Sequence, residues 1–424
     1  MKIPIIGKFF EKRSTEPISA KEFAKIFMDF TQSKAGVPVN RETAIKVAAV
    51  FACVNIISSA IASLPLVLYK STANGKEKAI QHNLYSILHD MPNPVTISFD
   101  FWQMLWVNLL LTGDGIAVIK RDNDGTIREL WNVPSANVTI YRNQNTKEKF
   151  YVIRDDDKEY KYYPENIFHV QGVRYNRTDS ALDPIIIARE ALGLSIATEE
   201  YGSKYFSQGG NMGGVIEVPD VMGDEAFERF KSSFQQAYTG LGSSHKWLFL
   251  EQGAKANKLN SNPDESQFLE TRRFQVIEIA RFFNVPPHMI MDLERATFSN
   301  IEQQSINFVQ YCLAPWLKKG EQTIYRDLLN PNDRKKHYAK FGVNALLRGD
   351  SNSRKDFYNT MLQNGVYSPN MVLELEDLNG YEGGDIRMVN GNMIPVNMLE
   401  DYFKYKMAND KGGGDTGAQT GKAN

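Results

Sequence analysis

Met291, Asp292, Leu293, Glu294, Arg295, Ala296 and Thr297 form the stretch of this 424-residue sequence that comes nearest to a reactive cluster. Asp292 and Glu294, with nearby carboxylates, are raw material for holding a divalent cation that activates water against a phosphodiester or a nucleotide. A metal-dependent nuclease or nucleotide hydrolase is therefore one reading. Against it, none of the polar residues here is spaced as a catalytic set. The six histidines, His82, His89, His169, His245, His288 and His337, match neither H-E-x-x-H nor a Cys/His ligand spacing, so isolated surface or core roles explain them better than metal. Asp122 and Asp124 hint at a calcium loop, but Lys120 stands where the first ligand belongs and Trp131 where the closing glutamate should be. Gly209, Gly210, Gly213 and Gly214 read as a helix stop and strand entry rather than a phosphate cradle. No G-x-x-x-x-G-K-[ST] loop and no G-x-S-x-G elbow occurs.

Bulk properties narrow the classes further. The chain is 42% hydrophobic and 23% charged, ordinary for a globular protein and long enough for two to four folded units. Its net charge of −1 provides no global basic field to grip nucleic acid by counterion release. Cys53 and Cys312 lie in apolar stretches and read as small buried hydrophobes. With no disulfide framework and no secretory signal, a reducing cytoplasm is the expected place of assembly. Val47–Ser63 is uncharged and near membrane-spanning length. Asn55, Ser58, Ser59 and Ser63, and the stop at Pro65, favour a buried core helix. A membrane pore is the competing reading.

The polar stretch must be positioned by what flanks it. Residues 1–40 read as a loosely ordered arm with one amphipathic helix at Ala20–Phe30. The buried helix follows, with Thr43 as its N-cap, and then a strand LPLVLYKS. A helix over Ser98–Leu111 puts Phe101, Leu105 and Leu109 on one face, beside Trp102 and Trp106. GIAVIKRDNDGTIRELWNV is a hairpin turning at Gly125, and three further strand-like segments extend a β-rich unit to Gly172. Asp183 as N-cap and Pro184 at the first helical position open a helix of about 25 residues, roughly 38 Å long. Its first half is apolar on nearly every side, so it calls for neighbours all round. A small α/β insert follows. SQFLETRRFQVIEIARFFNV then returns as a second long helix, stopped before Pro286 because a residue preceding proline is pushed out of the helical region. Ser299 and Glu302 fit a capping box that starts the next helix. Within that helix Pro315 removes the backbone bond to the Tyr311 carbonyl and kinks it. A polar loop of about a dozen residues, 288–299, thus sits between rigid supports, where loops of such length are commonly functional.

These features in this order resemble the bacteriophage portal (head–tail connector) proteins, specifically the HK97-like portal family. The resemblance rests on AVFACVNIISSAIASLPLVLY, HNLYSILHDMPNP, LLLTGDGIAVIKRDNDGTIRELWNVP, IARFFNVPPHMIMDLERATFSNIEQQSINFVQYCLAPW and GDSNSRKDFYNTMLQNGVYSPN, covering about residues 40–390. It implies an α+β phage portal fold of wing, stem, clip and crown, assembling as a ring, usually of twelve, around a central channel. In those terms residues 41–182 are wing, 183–208 and 265–287 the stem helices, and 209–264 the clip. Residues 288–299 are the tunnel loop, 300–344 the kinked helix and wing return, 345–395 the crown, and 396–424 a disordered Gly-rich tail.

The resemblance also implies roles. Met291–Thr297 would line the DNA channel. Ile186, Glu190, Leu194 and Glu199 of the first stem helix would serve channel and ring packing, with Lys204, and with Arg272, Gln275 and Glu278 of the second. Glu217, Asp220, Asp224, Glu228 and Trp247 would form the docking face of the clip. The expected partners are further copies of the chain, the large terminase, the major capsid protein or scaffold, a head–tail adaptor, and double-stranded DNA passing without sequence preference. No cofactor, membrane or enzymatic turnover is implied, and the location is the portal vertex of the virion. Residues 183–299 carry 16 acidic and 11 basic side chains, a net of −5. A channel so lined lets DNA slide, because every phosphate neutralised by Lys or Arg would have to be released during translocation. Asp292 and Glu294 are expected at the lumen, with Arg295 pairing or touching phosphate. Alternatively these are solvated loop charges.

Overall fold

The structure, a computed structural model, describes residues 32–207 except 74, 144, 157 and 176–178, then 214–217, 223–225, 227–229, 231–232 and 255–258. It further describes 265–292, 298–343, 351–388 except 377, and 401, 403 and 404. The expected helix at Ala20–Phe30 lies outside these residues, as does the 396–424 tail apart from 401, 403 and 404, which are helical where a disordered tail was expected. The chain divides into two compact units, Met1–Leu346 and Leu347–Asn424.

The first unit is built around two apolar helices. Asn40 caps a short helix α1 (Arg41–Lys46) in a reciprocal capping box with Thr43. Thr43 is therefore the third residue of that short helix rather than the cap of the buried one. After Val47, in extended conformation, α2 (Ala48–Ala62) buries Val50, Cys53, Val54, Ile57, Ser58 and Ile61. Its hydroxyls bond inside the protein: Ser58 and Ser63 donate to carbonyls of their own helix, and Gln103 donates to Ser59 at 2.8 Å. Among the described residues no helix is long and apolar enough to cross a membrane. Helix α4 (Ser98–Thr112) packs on α2 and buries Phe101, Trp102, Leu105, Trp106, Leu109 and Leu110; the short helix α3 (Asn83–His89) lies between them in the chain.

Among the described residues, three three-stranded antiparallel sheets complete this body. Strand β1 (Leu66–Thr72) is central between β2 (Gly75–Lys78) and β11 (His337–Phe341), with Leu66 opposite Phe341 across some 270 residues of chain. The expected hairpin is present as β3 (Asp114–Arg121) and β4 (Ile127–Val133), with Gly125 at φ +84°. The later strands do not simply extend it. β8 (Ile167–Gln171) pairs with β3, whereas β5 (Val138–Arg142), β6 (Lys149–Asp155) and β7 (Lys158–Tyr162) make a separate meander. A buried relay couples the two sheets: His169 Nε2 meets Asp114 Oδ1 at 2.8 Å and His169 Nδ1 meets Tyr151 Oη at 2.9 Å.

In the second unit, α10 (Ser351–Gln363) and α11 (Pro369–Leu375) are joined through Ser368, which accepts from the Met371 amide as N-cap. Arg354 and the hydroxyl of Tyr358 both reach Glu376, at 3.0 and 2.6 Å, tying the two helices together.

Candidate functional site

The expected first stem helix begins as read, with Pro184 at N1 and Asp183 accepting from the amides of Ile185 and Ile186. Arg41 Nη2 bonds the other Asp183 oxygen at 2.8 Å. The helix is interrupted, however. α5 (Pro184–Ile187) ends at Ala188, whose ψ of 3° breaks the helical run, and α6 (Arg189–Ser207) restarts at once. A continuous rod of 25 residues is thus corrected to a 4-residue turn followed by a 19-residue helix. Close backbone approach sets the root: a Cβ on Gly113 would lie 2.3 Å from the Leu182 carbonyl oxygen, and Gly113 sits at φ +88°. Further along, Gly193 meets Ser33, and the Lys34 amide donates to Glu190 at 3.0 Å, so the segment preceding α1 crosses α6 there.

Helix α7 (Glu265–Phe283) runs back alongside α6, with Tyr201 and Phe268 ring centroids 5.8 Å apart at the far end and Leu192, Ile279 and Ala280 buried at the near end. It stops two residues earlier than the Pro286 argument requires. Asn284 is left-handed at φ +57° and the Val285 amide donates to the Ala280 carbonyl at 2.9 Å, a Schellman closure with Asn in the glycine position.

Beyond α7 a bracket forms. Pro287–Ile290 is a single 3₁₀ turn, Met291 is left-handed at φ +65°, and the Asp292 amide donates back to Pro287. Arg273 grips Asp292 with two bonds, 2.6 and 3.0 Å, and this pairing holds the guanidinium yet more firmly in its charged form. His288 Nδ1 meets Gln304 Oε1 at 2.7 Å on the other side. The loop's near end is therefore fixed by α7 and by α8 (Phe298–Asn307). Since α8 begins at Phe298, Ser299 lies inside its first turn, and the expected capping-box start is corrected by at least one residue.

Ahead of Pro315, where a kink was expected, the helix changes its hydrogen-bonding pattern. Residues Phe308–Leu313 form a π-helical segment in which the Ala314 amide donates to the Val309 carbonyl five residues back; α9 (Ala314–Asp327) follows. Pro315 offers no amide to the Tyr311 carbonyl, and Asn284 Nδ2 donates to that carbonyl instead, at 3.0 Å. Cys312 Sγ lies 3.6 Å from the Phe283 carbonyl. The end of α7 is thus docked on the groups the proline leaves over. Cys53 and Cys312 are buried as expected, and burial pushes both thiols up to about 12.

Where α4, α5, α7 and the π segment meet, an apolar groove of about 410 Å³ opens, with Leu109, Ile187, Phe282, Tyr311, Pro315 and Trp316 among its lining. Ile186 and Ile187 are each 60% exposed and Phe274 53%. Of the other expected stem residues, Glu190, Leu194, Glu199, Lys204 and Arg272 are exposed and Glu278 pairs with Arg281 at 2.6 Å, whereas Gln275 is buried inside the chain. A residue so enclosed has no surface to offer a channel.

In the insert, β9 (Gly214–Glu217) and β10 (Lys255–Lys258) pair antiparallel, with Glu217 opposite Lys255. Asp224 and Glu228 are exposed on a helical turn, Glu228 pairing with Lys231 at 3.5 Å. Asp220 and Trp247, and the loop residues Leu293, Glu294, Arg295, Ala296 and Thr297, lie outside the described residues.

A helix–sheet body, two long helices packed side by side and a two-stranded sheet inserted between them in the chain are the features to set beside known proteins. The phage portal protein model matches residues 48–377. The chain is 30% identical over 375 residues to the probable portal protein of Streptomyces phage phiC31, spanning 86% of this chain and 81% of that protein. It is 28% identical to the portal protein of Enterobacteria phage HK97, over 85% of each. Among solved structures, the neck of the native GTA particle computed with C12 symmetry matches with a TM-score of 0.54 and 19% identity, over 84% of this chain and 99% of that one. The chain belongs to the phage portal protein family. The metal-dependent hydrolase reading finds no support: both oxygens of Asp292 are taken up by Arg273.

Proposed function

We propose that the chain is one subunit of a twelve-membered ring that forms the DNA channel at a capsid vertex. The observation that carries this is the apolar flank at the root of the helix pair. Ile187 and Phe282 line an apolar groove, and Ile186, Leu194 and Phe274 stand exposed on the same helices, which a lone protomer would be expected to cover. A second copy covers them. The twelvefold number takes its support from the C12 symmetry of the structurally similar GTA neck.

In this reading residues 41–182 are wing, α5–α6 and α7 stem, 209–264 clip, 288–299 tunnel loop and 345–395 crown. The Arg273–Asp292 pair anchors the loop while its remaining residues reach the DNA. Because Asp292 is neutralised within the chain, Glu294 and Arg295 become the charges that meet phosphate. The clip, with exposed Asp224 and Glu228, docks the large terminase during packaging and an adaptor afterwards; the wing meets capsid or scaffold. The particle assembles in the host cytoplasm and carries the ring in the virion. Light scattering and negative-stain imaging of the purified chain test the ring. Closed rings with a central hole are expected, and Ile187→Asp with Phe282→Asp should give monomers that remain folded by circular dichroism. A wild-type chain that stays monomeric at high concentration would overturn the reading.

A further inference from the structure

The sequence spacing of the histidines gives no metal motif, yet the fold brings two of them to one carboxylate. His82 caps α3, Asp333 lies in the turn before β11, and His337 opens β11 opposite Lys70 of β1. His82 Nε2 is 3.3 Å from Asp333 Oδ2, and His337 Nδ1 is 3.9 Å from Asp333 Oδ1. One donor atom from each of the three residues falls within 4.8 Å of the others. The two imidazole centroids are 4.9 Å apart at 56°, too tilted for stacking. His337 Nδ1 is buried with no hydrogen-bond partner.

From this geometry we infer that His82, Asp333 and His337 form a site for a divalent transition-metal ion of the zinc type. Two imidazoles and one carboxylate are the donor set of a three-ligand zinc site. Ligands at zinc bond lengths in a tetrahedron stand about 3.3 Å apart. The 3.3 and 3.9 Å contacts go to the two different Asp333 oxygens, and with one donor atom from each residue inside 4.8 Å the set closes on an ion by drawing in up to about 1.5 Å. The orphaned His337 nitrogen, which otherwise bears an uncompensated burial cost, gains a partner. Asn330 holds the carboxylate from behind: its Nδ2 donates to Asp333 Oδ2 and its Oδ1 accepts from the Asp333 amide. All three side chains keep some exposure, 22%, 27% and 14%, so an ion can enter from solvent.

Binding has one identifiable opposing term. His82 Nδ1 accepts from the Leu84 amide at 3.1 Å, which leaves the proton of the neutral ring on Nε2. Coordination through Nε2 shifts that proton to Nδ1 and releases the Leu84 amide, a single capping bond, small beside metal coordination. The ion would clamp the start of α3 to the edge of the β2–β1–β11 sheet, joining segments 250 residues apart. The site does not rest on the channel reading.

The test is titration of the chelator-stripped, full-length chain with Zn²⁺ by calorimetry, and with Co²⁺ followed by visible absorption. One equivalent per chain, with the intense ligand-field band of four-coordinate Co²⁺, is expected. His337→Ala and the milder His337→Gln should each weaken Zn²⁺ at least tenfold and abolish the band, with unchanged circular dichroism in the absence of metal. Absence of saturable binding in the wild type, or binding equally tight in both variants, would overturn the site.

Discussion

Residue by residue, the molecule spends its buried polar groups on joints. His169 is enclosed between Asp114 and Tyr151, and its backbone carbonyl accepts from Arg326. Burial, the dominant influence, pushes its imidazole below the usual value of 6.5, although Asp114 works the other way. The folded chain thus keeps His169 neutral where the unfolded chain protonates it. The stability from that neutral imidazole is present above pH 6.5 and is lost as pH falls through that value, at up to about 1.4 kcal/mol per pH unit. Equilibrium unfolding of the wild type should show this loss between pH 7 and 5.5, and His169→Gln should flatten it. The Arg273–Asp292 pair is a joint of another kind, restraining a loop end rather than a core. Arg273→Ala should raise the rate of limited proteolysis within residues 293–297 several-fold, and Arg273→Lys should recover only part of the protection, since a lysine cannot form the two parallel bonds.

At the level of elements, the end of α7 and the π segment are one device. Asn284 supplies both the left-handed turn and the bond to the Tyr311 carbonyl that Pro315 leaves over. The two contributions separate by mutation. Asn284→Gly keeps the backbone conformation and should cost about 1 kcal/mol for the lost hydrogen bond. Asn284→Val loses the bond and places a β-branched residue at positive φ, and should cost more, by about 1–2 kcal/mol. Chemical denaturation reads both. Gly113 makes a similar case at the end of α4, where φ +88° and the Leu182 carbonyl together exclude a side chain. Gly113→Ala should destabilise by about 1–3 kcal/mol from backbone strain alone.

For the whole molecule, the deciding quantity is apolar surface left uncovered on one copy. Ile186, Ile187 and Phe282 lie beside a groove lined by Pro315 and Trp316, and their burial by a neighbour is worth about 25 cal/mol per Å². Assembly should therefore survive high salt, while any contact with DNA should not. Double-stranded DNA retained by the ring at low ionic strength should be released by about 0.2 M salt in a filter-binding assay, because a chain of net charge −1 neutralises few phosphates.

Local pattern alone determined that these segments are helical, though not where each helix breaks or ends, and it also determined the Gly125 hairpin, the Asp183–Pro184 start and the burial of α2. Each depends on periodicity or on a residue type with a narrow conformational range. Chain folding over long distances decided the rest. Leu66 finds Phe341, and His82 finds Asp333 and His337, only because β11 joins β1. The break at Ala188 leaves no mark in the apolar period of the sequence. Arg273 neutralises Asp292 because a helix end and a left-handed Met291 bring them together. Side-chain pairing between distant segments depends on three-dimensional register, and no local propensity carries that information.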